Sequence, residues 1–302
     1  MSAPLGFDTA LRCTPSLLSR RSRGIKKPWR YRLNIIQALV LGIIQGATEF
    51  IPISSSGHLV LVPWLLNWPE PGLVFDTIVH WGTLVAVLAF FWRDVLALVR
   101  AWTGSLVERS LDQPEARLAW LIIVGTLPAA LMGFLWEDFF QSLFGSPGWV
   151  AALLLVTGGI LALSERLGKR QRSMGDLGWL DSVLIGLAQG LAIAPGISRS
   201  GATIALGLLR GVKREAAARY SFLLSTPIIF GAGLLQLVQL FQAGAGTVHL
   251  LPLIVGFLAA AISGYVCIKF LLAYLQRGKL YVFAAYCWLA GGVSMIVFLM
   301  RG

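Results

Sequence analysis

The stretch Gln45-Gly46-Ala47-Thr48-Glu49-Phe50-Ile51-Pro52-Ile53-Ser54-Ser55-Ser56-Gly57-His58 sets an acid, four hydroxyls and an imidazole in the middle of strongly apolar sequence. The apolar run around it extends from Leu33 to about Leu66, and Pro52 with the Ser-Ser-Ser-Gly tract divides it into two pieces. A helix needs about 20 residues to cross a bilayer, so neither piece spans alone. Irregular backbone at membrane depth survives only where it is buried in protein or lines a cavity, and a re-entrant helix hairpin with its tip at 51–57 meets that condition. Glu49 carries the functional expectation, because an ionisable side chain at that depth costs roughly 2.5–3.5 kcal/mol or more to insert.

Working outward, apolar segments long enough to cross lie at about 77–98, 118–136 and 149–165. A second broken element follows at 182–210, interrupted at Pro195-Gly196-Ile197-Ser198-Arg199-Ser200-Gly201, and three further spans are expected at about 217–240, 250–274 and 281–300. The order is a hairpin and three spans, twice. Sliding the first hairpin onto the second places Gly42 on Gly186, Gln45 on Gln189, Gly46 on Gly190, Ile53 on Ile197, Ser54 on Ser198, Ser56 on Ser200 and Gly57 on Gly201. Three crossings per unit invert the second copy relative to the first, which brings both hairpin tips toward the midplane. The fold expected is therefore an all-α integral membrane protein. A basic tail (1–32) precedes repeat 1 (33–165, hairpin 33–66) and repeat 2 (166–302, hairpin 182–210).

Composition agrees: of 302 residues 57% are hydrophobic and 13% charged, with mean hydropathy +0.76, whereas soluble domains carry about 25% charge. The net charge of +11 forms no nucleic-acid-binding stripe and sits in loops. Segments 93–117, 166–181, 210–219 and 276–280 hold the lysines and arginines, and segments 67–76, 137–148 and 241–249 hold none. The first set is read as cytoplasmic. This topology leaves the basic tail and Arg301 outside, against the same rule. The tail, which lacks a signal-peptide core, is read as a segment suited to anionic headgroups. Lys269, inside a span, is read as snorkelling to the cytoplasmic face. Cys13, Cys267 and Cys287 show no paired or metal-binding spacing.

The two tips together suit phosphate chemistry. Gln45 and Glu49 share a helix face, and their oxygens suit a hard divalent cation, magnesium or calcium. Ser55 and His58 share a face if a helix restarts there. Ser55 is then a candidate nucleophile and His58 a candidate acid or base. Arg199 offers a permanently charged fork for phosphate oxygens. Ser54, Ser56 and Gly57, with Ser198, Ser200 and Gly201, form helix N-termini whose amides would bind the same anion. Asp76, His80 and Thr83 open the first full span and either face the site or cap and anchor the helix, the second reading being preferred.

At these residues the chain resembles the undecaprenyl-diphosphate phosphatase, or bacitracin-resistance, family over about 34–300. The resemblance implies hydrolysis of the terminal phosphate of a polyprenyl diphosphate, which regenerates the carrier lipid for cell-wall assembly. It also implies a divalent cation and a site open to the outer face of a bacterial inner membrane. The family's acidic motif, Glu or Gln and then Glu four residues on, falls on Gln45 and Glu49, so one possible negative ligand is absent here. The family's catalytic serine and histidine fall on Ser55 and His58, and its phosphate-binding arginine on Arg199. Serine attack and histidine attack both suit the spacing. Type-2 phosphatidic acid phosphatases are excluded, because their second histidine and aspartate would fall on Ala205 and Leu209 and their Lys-to-Arg-Pro motif is missing. The expected partners are the polyprenyl diphosphate, membrane lipids and a second copy in a homo-oligomer. A lipid-phosphate transporter or flippase is the alternative, since broken helices in inverted repeats are a transport architecture. A scaffold or channel subunit accounts poorly for so many reactive side chains.

Overall fold

A computed structural model describes residues 33–243 and 250–301. The basic tail and the loop 244–249 lie outside the described residues, and so does the expectation that the tail contacts headgroups. The described chain is helical: α1 (Ile35–Phe50), α2 (Ser55–Leu65), α3 (Gly72–Phe90), α4 (Trp92–Glu108), α5 (Pro114–Leu135), α6 (Glu137–Phe144), α7 (Pro147–Leu167), α8 (Trp179–Leu191), α9 (Arg199–Leu209), α10 (Arg214–Ala243), α11 (Leu250–Leu275) and α12 (Tyr281–Arg301). Six of these, α3, α5, α7, α10, α11 and α12, are long and apolar enough to cross a membrane. The chain is a multi-pass membrane protein.

Local sequence sets the breaks. Asn34 and Gln37 form a capping box that starts α1. Pro52 disfavours helical backbone at the residue before it, and Ile51 is accordingly extended (φ −63°, ψ 132°). Ser54 then caps α2 by accepting the Gly57 N–H, and Ser198 caps α9 by accepting the Gly201 N–H. The first full span runs from Gly72 to Phe90 rather than 77–98. The chain turns at Phe91 (φ −100°, ψ 22°) into α4, whose polar face with Arg93, Asp94 and Arg100 leaves few positions buried. No Pro or Gly marks that turn in the sequence. The short α6 likewise occupies a segment expected to be a loop.

Packing exchanges partners between the halves of the chain. The first hairpin helix α1 packs chiefly on α11, and α8 packs chiefly on α5; α3 meets α11 while α10 meets α5; α7 and α12 pack on each other. Glycines allow close approach in the α1–α11 and α5–α8 pairs. A Cβ on Gly42 would come 2.5 Å from the Gly256 carbonyl, and one on Gly46 would strike the Ala260 carbonyl. On the other side Gly186 lies against the Gly125 carbonyl and Gly190 against the Met132 thioether. Small residues of this kind let membrane helices approach backbone to backbone.

Two acidic side chains gather the arginines at one end of the bundle. Asp181, in the first turn of α8, accepts from Arg172 at 2.6 Å, from Arg210 beyond the end of α9 at 2.5 Å and from the Gly178 N–H at 2.9 Å. Burial would raise its carboxyl, but these donors, led by Arg172, hold it at about 2. Glu165, near the end of α7, binds Arg170 and Arg214 and accepts the Leu280 N–H at 3.1 Å. The start and end of the α8–α9 hairpin are thereby tied to the same end of the molecule. In the first hairpin, Leu33 before α1 and Leu59 in α2 share one apolar cluster with Phe75, packed by Val62 and Trp68.

Candidate active site

Two tips meet at the centre. A Cβ on Gly57 would lie 3.1 Å from the Gly196 Cα, and the Ser54 hydroxyl reaches the Ile197 carbonyl at 3.4 Å. Neighbouring helices hold each tip by its backbone. Thr157 of α7 donates to the Gly196 carbonyl (2.8 Å) and accepts the Ser198 N–H (3.1 Å), while the Cys287 thiol of α12 faces the Pro52 carbonyl at 3.9 Å. Gly196 takes φ +102°, and a Cβ there would collide with the Val150 carbonyl, so only glycine fits. Ser54 also has positive φ (71°). Such backbone in a non-glycine residue persists only where its surroundings hold it.

Glu49 is the hub, 6% exposed. Its Oε1 accepts from Arg199 Nη2 at 2.7 Å, across 150 residues of chain. Its Oε2 accepts from the Ser55 hydroxyl at 2.6 Å and from Gln45 Nε2 at 2.9 Å. His80 Nε2 stands 3.9 Å from the same oxygen. A buried carboxylate is tolerable only with such partners, because its desolvation otherwise outweighs the gain. Two polar atoms here are buried without a hydrogen-bond partner, Gln45 Oε1 and Arg199 Nη1. One is an oxygen acceptor and the other a cationic donor, and both belong to the cluster around the Glu49 carboxylate.

His58 is directed elsewhere. Its Nδ1 lies 2.7 Å from the Ser54 carbonyl and its Nε2 2.8 Å from the Tyr286 hydroxyl, with the two rings stacked at 5.7 Å between centroids. Ser54 and Ser56 hydroxyls approach at 3.5 Å, and Ser198 and Ser200 at 3.2 Å. Gly57 and Gly201 donate to the capping serines. The structure therefore gathers Gln45, Glu49, Ser55 and Arg199 into one hydrogen-bonded group and sets His58 beside it against α12.

Among the described residues, no three His, Cys, Asp or Glu side chains converge as a metal cage. Magnesium is commonly held by one or two carboxylates with substrate phosphates and water completing its shell. The Glu49 carboxylate and the unpartnered Gln45 Oε1 fit that mode as a two-oxygen donor set.

Residues 38–293 match the family model for bacitracin resistance protein BacA. The chain belongs to that family. It is 47% identical over 273 residues to an undecaprenyl-diphosphatase of Thermomicrobium roseum, covering 88% of this chain and 98% of the relative. A Rubrobacter xylanophilus undecaprenyl-diphosphatase is 48% identical over 258 residues (84% and 94%), and one from Moorella thermoacetica 45% over 269 residues (89% and 100%).

The sequence alone left one neighbour of the Glu49 cluster in the less preferred reading and missed another. His80 was expected to anchor α3; its Nδ1 does bind the Asp76 carbonyl at 2.6 Å, but its Nε2 faces Glu49, because α3 packs beside α1. Asp76 keeps a buried carboxylate oxygen without a partner, and Thr83 binds the His80 carbonyl within the helix. Tyr286 carried no signal at all, since a tyrosine in an apolar span reads as packing.

Proposed function

We propose that this protein is an undecaprenyl-diphosphatase, hydrolysing undecaprenyl diphosphate to the monophosphate and inorganic phosphate, and that it thereby confers bacitracin resistance. The observation that carries the reading is the 2.7 Å contact of Arg199 with Glu49, with the Ser55 hydroxyl 2.6 Å from the same carboxylate. A nucleophile, a base and a phosphate-binding cation thus occupy one buried point.

The exchanged packing partners and the ties that close each hairpin at its base support two re-entrant hairpins in an inverted repeat. At 13 residues α8 is only about 20 Å long, short of the roughly 30 Å apolar core. The arginine-rich end is cytoplasmic by its charge, which leaves the tips open toward the outer face of the bacterial inner membrane.

In the reaction, the terminal phosphate takes Arg199, whose unpartnered Nη1 offers a further donor, and the tip amides of α2 and α9 hold its oxygens. Releasing Arg199 from Glu49 leaves the carboxylate a stronger base toward Ser55. The Ser55 proton passes to Glu49 Oε2 as Oγ attacks the terminal phosphorus, and the polyprenyl monophosphate leaves. Water then cleaves the phosphoserine, giving one proton to His58 Nε2 while Glu49 returns its own to Ser55 Oγ, and phosphate leaves. Glu49 and Gln45 would hold a magnesium or calcium ion, which when bound would neutralise charge on the diphosphate oxygens. The lipid tail leaves through an apolar groove of about 610 Å³ between α6, α7, α8 and α9 that begins beside Ile197 and Ala202, one turn from Arg199.

Purified protein in detergent should release phosphate from undecaprenyl diphosphate and lose that activity with a chelator, regaining it on addition of magnesium or calcium. Detergent removes membrane sidedness, so a transporter or flippase would release none. Turnover indifferent to chelation would remove the cation from the reading and leave the rest.

A further inference from the structure

We infer that Tyr286 is a positioning residue: its hydroxyl, delivered by α12, holds the His58 ring, whose tautomer the Ser54 carbonyl sets, in one orientation within the site. This rests on the diphosphatase reading for its kinetic consequence but not for its geometry. The His58 ring is only 7% exposed and both of its nitrogens are engaged. A backbone carbonyl can only accept, so the Ser54 carbonyl 2.7 Å from Nδ1 assigns the ring proton to Nδ1. In the neutral ring Nε2 is then the lone-pair nitrogen, and the Tyr286 O–H at 2.8 Å donates to it. The parallel stacking of the rings, with an interplanar angle of 16°, removes the remaining freedom of tilt.

The arrangement has a chemical result. His58 presents its basic nitrogen toward α12 and not toward Ser55, whose hydroxyl is already given to Glu49. The two candidate bases of the first hairpin are thereby kept apart: Glu49 serves Ser55, and His58 Nε2 waits at the Tyr286 side, where the phenol is 41% exposed. Because α12 is the last helix, the orientation of a residue in the first hairpin depends on the final segment of the chain.

Two measurements on the full chain in detergent test this. The first is kinetic. Tyr286→Phe keeps the stacking ring and should lower kcat about tenfold to a hundredfold, the scale of one hydrogen bond to a reacting group, with KM changed less than about twofold. In a His58→Gln background the same substitution should have no further effect. Unchanged turnover in Tyr286→Phe, or an equal loss with and without His58, overturns the inference. The second needs no activity. The chain has three histidines, so protein labelled with ¹⁵N-histidine gives a spectrum that His58→Gln assigns directly. Wild type should show His58 protonated at Nδ1, and Tyr286→Phe should move its Nε2 resonance. A His58 ring with its proton on Nε2 in wild type, or an Nε2 signal indifferent to Tyr286→Phe, overturns the geometry. Absence of phosphate release by wild type would instead remove the diphosphatase reading and leave the spectral test standing.

Discussion

The two hairpin tips share a backbone plan and divide the chemistry between them. Both begin their second helix on a capping serine, Ser54 or Ser198, whose hydroxyl accepts the N–H three residues on, and both place another serine hydroxyl two residues beyond. Where they differ is at the reactive positions. In the register that pairs Ser54 with Ser198, Glu49 faces Ile193, His58 faces Ala202 and Ser55 faces Arg199. The first tip supplies acid, hydroxyl and imidazole; the second supplies the guanidinium. The helical glutamine is kept in both, yet its fate differs. Gln45 Nε2 binds Glu49, whereas Gln189 is buried with both amide atoms unpartnered. A duplicated frame carries a single reaction, and one copy retains a polar group whose natural partner it lacks.

The largest break in this comparison should come from the pair that joins the tips. Glu49→Gln and Arg199→Ala should each lower phosphate release about a thousandfold, the upper scale for losing one group that meets developing charge. Arg199→Lys should recover little, since an ammonium cannot reproduce the fork. Comparable melting temperatures for wild type and Arg199→Ala would assign the loss to chemistry. Near-normal turnover in either variant would separate the tips functionally and end the reading of one shared site.

A smaller, structural contrast lies in the helices that lead to the tips. Gly46→Ala would press a methyl into the Ala260 carbonyl and should destabilise by about 1–3 kcal/mol. Gly190→Ala collides chiefly with the Met132 thioether, the far part of a flexible side chain, and meets the Ala129 Cα only at 3.3 Å, so it should cost distinctly less. Thermal unfolding of both variants in one detergent reads the difference; equal losses would mean that the crossings are not held as described.

The smallest effect has the opposite sign. Gln189→Leu removes two unsatisfied buried atoms and should raise stability by about 1 kcal/mol without loss of phosphate release. The corresponding Gln45→Leu should stay folded and weaken the response to added magnesium or calcium. If Gln189→Leu abolishes turnover, the second glutamine has a role of its own.

How much of this was legible beforehand depends on the physical signal each feature leaves. All-helical membrane architecture follows from hydropathy and length, and the breaks at Pro52 and Pro195-Gly196 are written in residue types that disfavour a continuing helix. The turn at Phe91 left no such mark, because apolar Phe90, Phe91 and Trp92 run through it. Glu49 and Arg199 stood out as charges in apolar sequence, and the likeness of their surroundings related them. Tyr286 did not, and for His80 the site-facing reading was the less preferred of two. Each becomes part of the group only through which helix packs on which, α3 beside α1 and α12 beside α2, and no local pattern carries that information.

The exchange of packing partners has a consequence for biosynthesis. The helix that covers the glycine face of α1 is α11, near the end of the chain. While the protein is being made, the first hairpin leaves the ribosome long before its cover exists. A buried acid and an unmatched glycine groove must then wait in the insertion machinery or against other lipid-facing surfaces. Assembly is thus a late event governed by the last segments to emerge, and a chain stopped before α11 would hold a complete set of first-tip residues with nothing to fix them.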